Sequence, residues 1–486
     1  MPPERRILIS SQACVLLQRL SRSRGVWHTI LLRALNTTIP CPFLLPRPLA
    51  ECAAQDLEDA FVRWHGPWRA TDAPQTIESV SSRIDLNVLA GREVCIESMM
   101  MTPGGRWVLL ADDRGAVYYI DLDEIPGELA PKLLIPPPME PIRKVTVRMA
   151  IDTTSAGDAP HYHLTNFTLA VFITSSKRHA CPTHVEVWRT EVGSTGPGNT
   201  KVALQPAERL SSFKDQLYKT LHSCDILGDT LAYAVAGGFD RRAIIVDWKE
   251  SNGKDPDELQ RSCIERLTPN VGKEPIFLEQ FNLTLLSSFQ HLLLLPHARI
   301  IGRFEQGDWL CLHDYPPPHA PAPQPSHRPL WEDSELGRFP TRPHLFRMGE
   351  ELRLVVGQSR DSTRSLIIPV DPTKANYHAK WEDCDENDTW DSEGVQRLPA
   401  LALGYRKGVG LYYYCQKWEV YLSHFGWGRD GGETGKSGVR GKTNIARVSG
   451  MDARREGERL IVFFDEFSHR VVVFERKMDR YISLNL

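Results

Sequence analysis

The spacing of hydrophobic positions changes once along this chain, near residue 80. Before that point it is helical. In ACVLLQRL (13–20), Ala13, Leu16, Leu17 and Leu20 share one face. After SRSRG a second helix places Trp27, Ile30, Leu31, Ala34 and Leu35 at i, i+3, i+4, i+7 and i+8. Four prolines in IPCPFLLPRPL (39–49) forbid a helix. Leu49, Ala53, Leu57, Ala60, Phe61 and Trp64 then predict a third amphipathic helix, ended by Gly66–Pro67.

Beyond residue 80, short β-rich runs alternate with Gly, Pro, Asp and Asn turns, and the runs come in pairs. The pairs are RWVLLADDRGAVYYIDLD (106–123); FTLAVFIT (167–174) with THVEVWRT (183–190); and TLAYAVA (230–236) with AIIVDWK (243–249). HLLLLPHARIIGRF (291–304) pairs with WLCLHD (309–314), and LRLVVG (352–357) with SLIIPVD (365–371). LALGYRKGVGLYYY (401–414) with WEVYLSHF (418–425), and RLIVFF (459–464) with RVVVFER (470–476), complete the series. Seven hairpins at a loosely constant interval predict a mainly β fold, a β-propeller of about seven four-stranded antiparallel blades. KVTVRMAID (144–152) and VALQP (202–206) are candidates for the remaining strands. No Trp-Asp dipeptide recurs at the strand ends, and Asp247–Trp248 is an isolated acid–aromatic pair, so a β-sandwich with insertions is the alternative. The expected domains are helices over 1–36, a Pro-rich link with an amphipathic helix over 37–79, and the β domain over 80–486. Long loops are expected at 314–345, 372–398 and 426–446.

Net charge is −3 and the pI about 6.6, so bulk electrostatics argue for neither nucleic acid nor an anionic membrane surface as partner. Ten cysteines without a C-x-x-C pair predict reduced thiols in the cytoplasm or nucleus. No run reaches the ~18 apolar residues that a membrane helix needs. Seven arginines against one acid, Glu4, in the first fifty residues make a mitochondrial presequence the alternative for localisation.

RDGGETGKSGVRGKTN (429–444) carries two nucleotide-loop endings, but the leading glycine of G-x-x-x-x-G-K-[ST] is Asp430 in one frame and Lys436 in the other. It is expected to be a basic loop between the last two repeat units, with Lys436, Arg440 and Lys442 available to an acidic partner. WEDCDENDTWDSE (381–393) places Asp383, Asp385 and Asn387 like the first ligands of a calcium loop. It has Asp388 where glycine is required, and Glu393 falls one position early. His161, His163, His179, Cys181 and His184 cluster without a zinc spacing. No nucleophile elbow occurs, and the S-x-x-K matches at Ser211 and Ser251 are isolated. The residues therefore point to no cofactor, no metal and no enzyme, with a propeller hydrolase the weakest alternative.

LLQRLSRSRGVWHTILLRAL (16–35) resembles the last third of an F-box, with Leu16, Leu17, Leu20, Val26, Trp27 and Leu31 at matching positions. Its combination with a Pro-rich link, a helix and a propeller-like domain is similar to fungal F-box proteins. The resemblance implies a non-catalytic substrate receptor that docks on the adaptor subunit of a cullin–RING ubiquitin ligase and presents an unknown protein substrate. It departs from the family at its start. MPPERR imitates the opening Leu-Pro-x-Glu helix about ten residues too close to Trp27, as expected of an F-box truncated at its N-terminus. A propeller interaction scaffold with no ubiquitin role is the alternative.

Overall fold

The strands pair with their neighbours in sequence, except that the strand Thr183–Ser194 takes both Val202–Leu204 and Glu208–Asp215 as partners and that the first strand pairs with the last, which closes the molecule. The computed structural model describes residues 22–42, 44–45, 47–65, 80–83, 94–124, 130–138, 145–153, 162–175, 183–194, 202–215, 220–237, 240–254, 259, 262–265, 289–304, 309–315, 331–333, 344–357, 363–373, 379–383, 401–404, 407–414, 417–424, 443–448, 460–475 and 480–485. Structural statements concern these residues.

Two helices, α1 (Arg24–Thr37) and α2 (Ala54–His65), precede the strand β1 (Val80–Arg83). The first sheet then runs β2 (Ile96–Met101), β3 (Trp107–Asp112), β4 (Val117–Asp121), β5 (Lys132–Ile135). The second holds β6 (Val145–Asp152), β7 (Asn166–Ser175) and β8 (Thr183–Ser194). The short β9 (Val202–Leu204) pairs with the end of β8, and β10 (Glu208–Asp215) with its beginning. The third is β11 (Thr220–Leu227), β12 (Thr230–Gly237), β13 (Asp240–Asp247), β14 (Ser262–Glu265). The fourth is β15 (Phe289–Leu295), β16 (Arg299–Phe304), β17 (Trp309–Asp314), β18 (Trp331–Asp333). The fifth is β19 (His344–Met348), β20 (Glu351–Gly357), β21 (Thr363–Pro369), β22 (Lys380–Asp383). The sixth is β23 (Leu401–Leu403), β24 (Lys407–Tyr414), β25 (Lys417–His424), β26 (Thr443–Val448). The seventh takes β27 (Leu460–Asp465), β28 (Arg470–Glu475) and β29 (Arg480–Asn485) from the end of the chain. Its fourth strand is β1, antiparallel to β29, with Val80 opposite Ser483 and Arg83 opposite Arg480.

Apolar side chains fill the spaces between successive sheets. Leu109 and Val117 of the first meet Val147 and Leu169 of the second. Phe172 and Val187 of the second meet Tyr233 and Val246 of the third. Ala232 and Ile245 meet Leu292 and Leu294 of the fourth, and Leu295 and Ile301 meet Leu352 and Leu366 of the fifth. The sixth sheet adjoins the fifth through β20 and β23, and the seventh through β23, β24 and β27. Val472 and Phe474 of the seventh return to Val108 and Leu110 of the first. The sheets thus follow one another around a closed ring, with first strands against one another toward its centre (β2 with β6, β6 with β11, β11 with β15, β23 with β27), which is a β-propeller. A sandwich of two sheets is excluded.

The same geometry explains the sequence pattern. Every residue of β3 and β4 is buried, because a middle strand is covered on both faces by neighbouring sheets. Such strands read as unbroken apolar runs, not as alternations.

Several expectations are corrected. HLLLLPHARIIGRF is two strands, since Pro296 opens a turn in which His297 and Ala298 take φ of 61° and 52°. Residues 401–414 likewise divide into β23 and β24. Trp331–Asp333 and Trp381–Asp383, expected in loops, are the outer strands β18 and β22. Asp383, the first residue of the calcium-like alignment, therefore sits opposite Arg364 in a ladder. The basic stretch 429–444 joins β25 to β26 of one sheet and does not link two repeat units; its residues before Thr443 lie outside the described residues. Leu49 and Ala53 precede α2, where the Ala53 amide donates to Asp56 Oδ2 at 2.9 Å.

Candidate functional site

The N-terminal segment is built into the ring. Along α1, Leu31 (0% exposed), Ala34 and Leu35 are buried, and along α2, Leu57 and Trp64. They share one apolar cluster with Phe346 of β19, Val355 of β20 and Leu403 of β23. Trp27 lies against Phe61 with ring centroids 6.0 Å apart, so the two helices meet through their aromatic positions. Trp64 stacks on Phe467, in the turn between β27 and β28, at 5.2 Å and 20°.

Arg24, the first residue of α1, fixes the angle between the helices. Its Nε donates to Cys52 O at 2.8 Å, and one terminal nitrogen donates to Leu49 O at 2.9 Å and Ala50 O at 2.8 Å. A planar guanidinium suits three convergent carbonyls, because its donors are already arranged as a fork. Burial pushes the Cys52 thiol above its ordinary pKa, with Asp56 adding to the effect. At the other end of α1, the Thr38 and Ile39 amides close on Ala34 O at 2.7 and 2.8 Å.

The proline-rich link crosses the ring. Proline lacks an amide donor, so its few other residues make the attachments. Cys41 exchanges backbone hydrogen bonds with Arg347 of β19, at 2.7 and 2.9 Å. Leu45 N donates to Tyr162 O at 2.6 Å, just before β7, and His163 Nδ1 donates to Leu45 O at 3.2 Å. Cys41 is thus tied to the fifth sheet and Leu45 to the second, four residues and at most about 14 Å apart. Leu44 rests on the turn between β2 and β3, where a Cβ on Gly104 would lie 3.4 Å from its own Cβ. These contacts fall on, or at the strand end beside, connections between the first and second strands of sheets, which share one end of the ring. The segment spans that end.

Of the F-box-like positions, Leu31 is buried in this cluster, and Val26 and Trp27 are partly buried on α1. Ile30, expected on the buried face, is 36% exposed and lies at the edge of the contact. Leu16, Leu17 and Leu20 lie outside the described residues, as do Lys436, Arg440 and Lys442. His163 is engaged with the link, and His184 sits in β8 opposite Lys214. The remaining members of the His/Cys cluster lie outside the described residues. Among the described residues no group of three or more His, Cys, Asp or Glu is placed to hold a metal ion. None of their helices is long and apolar enough to cross a membrane.

Sequence reasoning missed Arg24, whose partners come from a segment 25 to 28 residues away. It also missed the turn Glu466–His469. Asp465 and Ser468 there are joined by a 2.7 Å hydrogen bond from the Ser468 amide. Burial raises the Asp465 carboxyl above the usual range despite the amides of Ser468 and Gly104 and the nearby charge of Arg470. No local motif marks such a turn.

No family model matches the chain, and no curated protein matches it. Among solved structures, the β-propeller domain of Cps50 (Swd1) from Myceliophteria thermophila is similar, with 10% sequence identity and a TM-score of 0.44, covering 81% of this chain and 100% of that domain. The superposition is loose, and the propeller assignment stands on the strand order and ring of the chain itself.

Proposed function

We propose that the chain is a non-catalytic protein receptor with seven four-stranded blades, working as an F-box-type substrate receptor of a cullin–RING ubiquitin ligase. In this reading the N-terminal helices face the adaptor subunit, and the end of the ring opposite the proline-rich link presents the protein substrate. It acts in the cytoplasm or nucleus and uses no cofactor.

The supporting observation is the shared core of α1, the link, α2 and the ring. A receptor must hold its substrate at a fixed place relative to the ligase, and the described helices α1 and α2 share one apolar core with the propeller. The substrate stays unnamed, because propeller recognition draws on loops of several blades.

A second reading, a propeller scaffold with no ubiquitin role, is favoured by the burial of Leu31, Ala34 and Leu35 against the ring. Those side chains serve the cap itself. Co-purification separates the two readings. The receptor captures the purified ligase adaptor, and Leu16→Glu/Leu17→Glu/Leu20→Glu abolishes capture while the melting temperature holds. A folded chain that leaves the adaptor unbound at ~100 μM supports the scaffold instead.

A further inference from the structure

One turn of the seventh sheet gathers contacts from three directions. Phe467 carries the Trp64 ring of α2 at 5.2 Å. On the side of the first sheet, Asp465 Oδ1 accepts from Gly104 N at 3.2 Å, and Arg470 donates to Gly105 O at 3.0 Å and to Asp123 Oδ1 at 2.8 Å. On the side of the sixth sheet, Glu466 crowds Gly404, where a Cβ would stand 2.4 Å from Glu466 Oε2. The fit is tight in each direction, so the turn cannot shift toward one neighbour without releasing another.

The same sheet carries the closing strand. β1 follows α2 in the chain and pairs with β29, so the N-terminal segment grips the seventh sheet twice, at Phe467 and along β29. Trp64 precedes Val80 by sixteen residues, so docking it on the seventh sheet confines β1 to the neighbourhood of that sheet. That raises the effective concentration of β1 and reduces the loop-closure entropy of pairing it.

We infer that the helical cap and the seam between the seventh and first sheets form one coupled clasp. Undocking the cap loosens β1 and the seam, and loosening the seam undocks the cap. A partner that pulls on α1 or α2 is therefore felt at the place where the ring opens. Coupling of this kind is reciprocal, since each event changes the equilibrium of the other by the same factor.

Hydrogen exchange on the full-length chain tests the inference in both directions. Trp64→Leu removes the stack, and the milder Phe467→Leu keeps an apolar contact if the first variant fails to fold. Exchange should accelerate about tenfold in α2 and also at 80–83, 480–485 and 102–106, with β12 on the far side unchanged. Arg470→Lys, which cannot keep both of its bonds, should accelerate exchange at the seam and again in α2. Acceleration confined to α2 in the first variants and to the seam in the last would overturn the clasp. So would equal acceleration in β12, which reports general loss of stability.

Discussion

Asp465, the last residue of β27, accepts a hydrogen bond at 3.2 Å from the amide of Gly104, which lies 361 residues earlier in the chain. The arrangement recurs within the ring. Asp152, the last residue of β6, accepts from the Gly228 amide at 2.7 Å. In both, a carboxylate at the end of an innermost strand holds the first turn of the next sheet, and that turn has a glycine with positive φ. At Asp465 the device joins the two ends of the chain.

The glycines of these turns should not be equivalent. Gly105 has φ of +68°, and a Cβ there would stand 2.3 Å from Ser468 Oγ and 3.0 Å from Asp465 Cβ. Gly105→Ala should cost about 2–4 kcal/mol, combining left-handed strain with overpacking. Gly228, at φ +57°, has nothing within 4 Å, so Gly228→Ala should cost only about 1–2 kcal/mol. Denaturant unfolding of the two variants measures the difference.

Arg299 is fully buried in the seam between the fourth and fifth sheets. It donates to Pro296 O at 3.0 Å, Pro369 O at 2.8 Å and Val370 O at 2.6 Å. Arg299→Met leaves these carbonyls without that donor and should destabilise by about 3 kcal/mol or more. Arg299→Lys should recover only part of the loss, because an ammonium lacks the planar fork. Thermal melts of both variants would show the order.

Stability should depend on pH through Glu186. It is 5% exposed, accepts from the Trp188 indole at 3.1 Å and lies 3.6 Å from Arg209. Burial outweighs those partners and raises its pKa above the ordinary value of 4.5. The folded state then binds more protons than the unfolded state between the ordinary and the raised value, so stability falls as pH rises through that window and is level above it. Glu186→Gln keeps an acceptor for Trp188 and removes the charge. It should gain on wild type at pH 7 and lose that advantage below pH 4.5, as unfolding curves at the two pH values would reveal. A constant difference between the proteins would contradict the sign.

Arg24→Ala should loosen the helix pair without opening the ring. Its bonds are largely at the surface, so the global cost should be about 1 kcal/mol. Amide exchange in α1 should rise well before that of β20.

How much of this was legible follows from where each strand lies. The middle strands of the sheets are covered on both faces, so LAYAV in β12 and WVLLAD in β3 stood out as continuous apolar runs and gave the hairpin count. Outer strands such as Trp331–Asp333 and Lys380–Asp383 are only three or four residues long and have one partner, too little to impose a pattern. The helical periodicity of α1 and α2 was visible, whereas their docking surface was not. Trp64 meets Phe467 and Cys41 meets Arg347 only because the ring brings distant turns to one end. Asp465 and Arg24 were equally silent, since most of their hydrogen-bond partners are backbone amides and carbonyls, which carry no signal in the sequence.

Closure of the ring by β1 determines where the N-terminal segment must lie, and disulfide trapping reads it directly. Ser81 stands opposite Ile482 and Ser82 opposite Tyr481. Directly opposed residues in antiparallel strands have Cα atoms about 4.5–5.5 Å apart, within the span of a disulfide. Mild oxidation of Ser81→Cys/Ile482→Cys and of Ser82→Cys/Tyr481→Cys should give an intramolecular cross-link in monomeric protein for at least one pair, identified by peptide mass. Cross-links found only between molecules, or none in either folded variant, would contradict a ring closed by its own N-terminal strand.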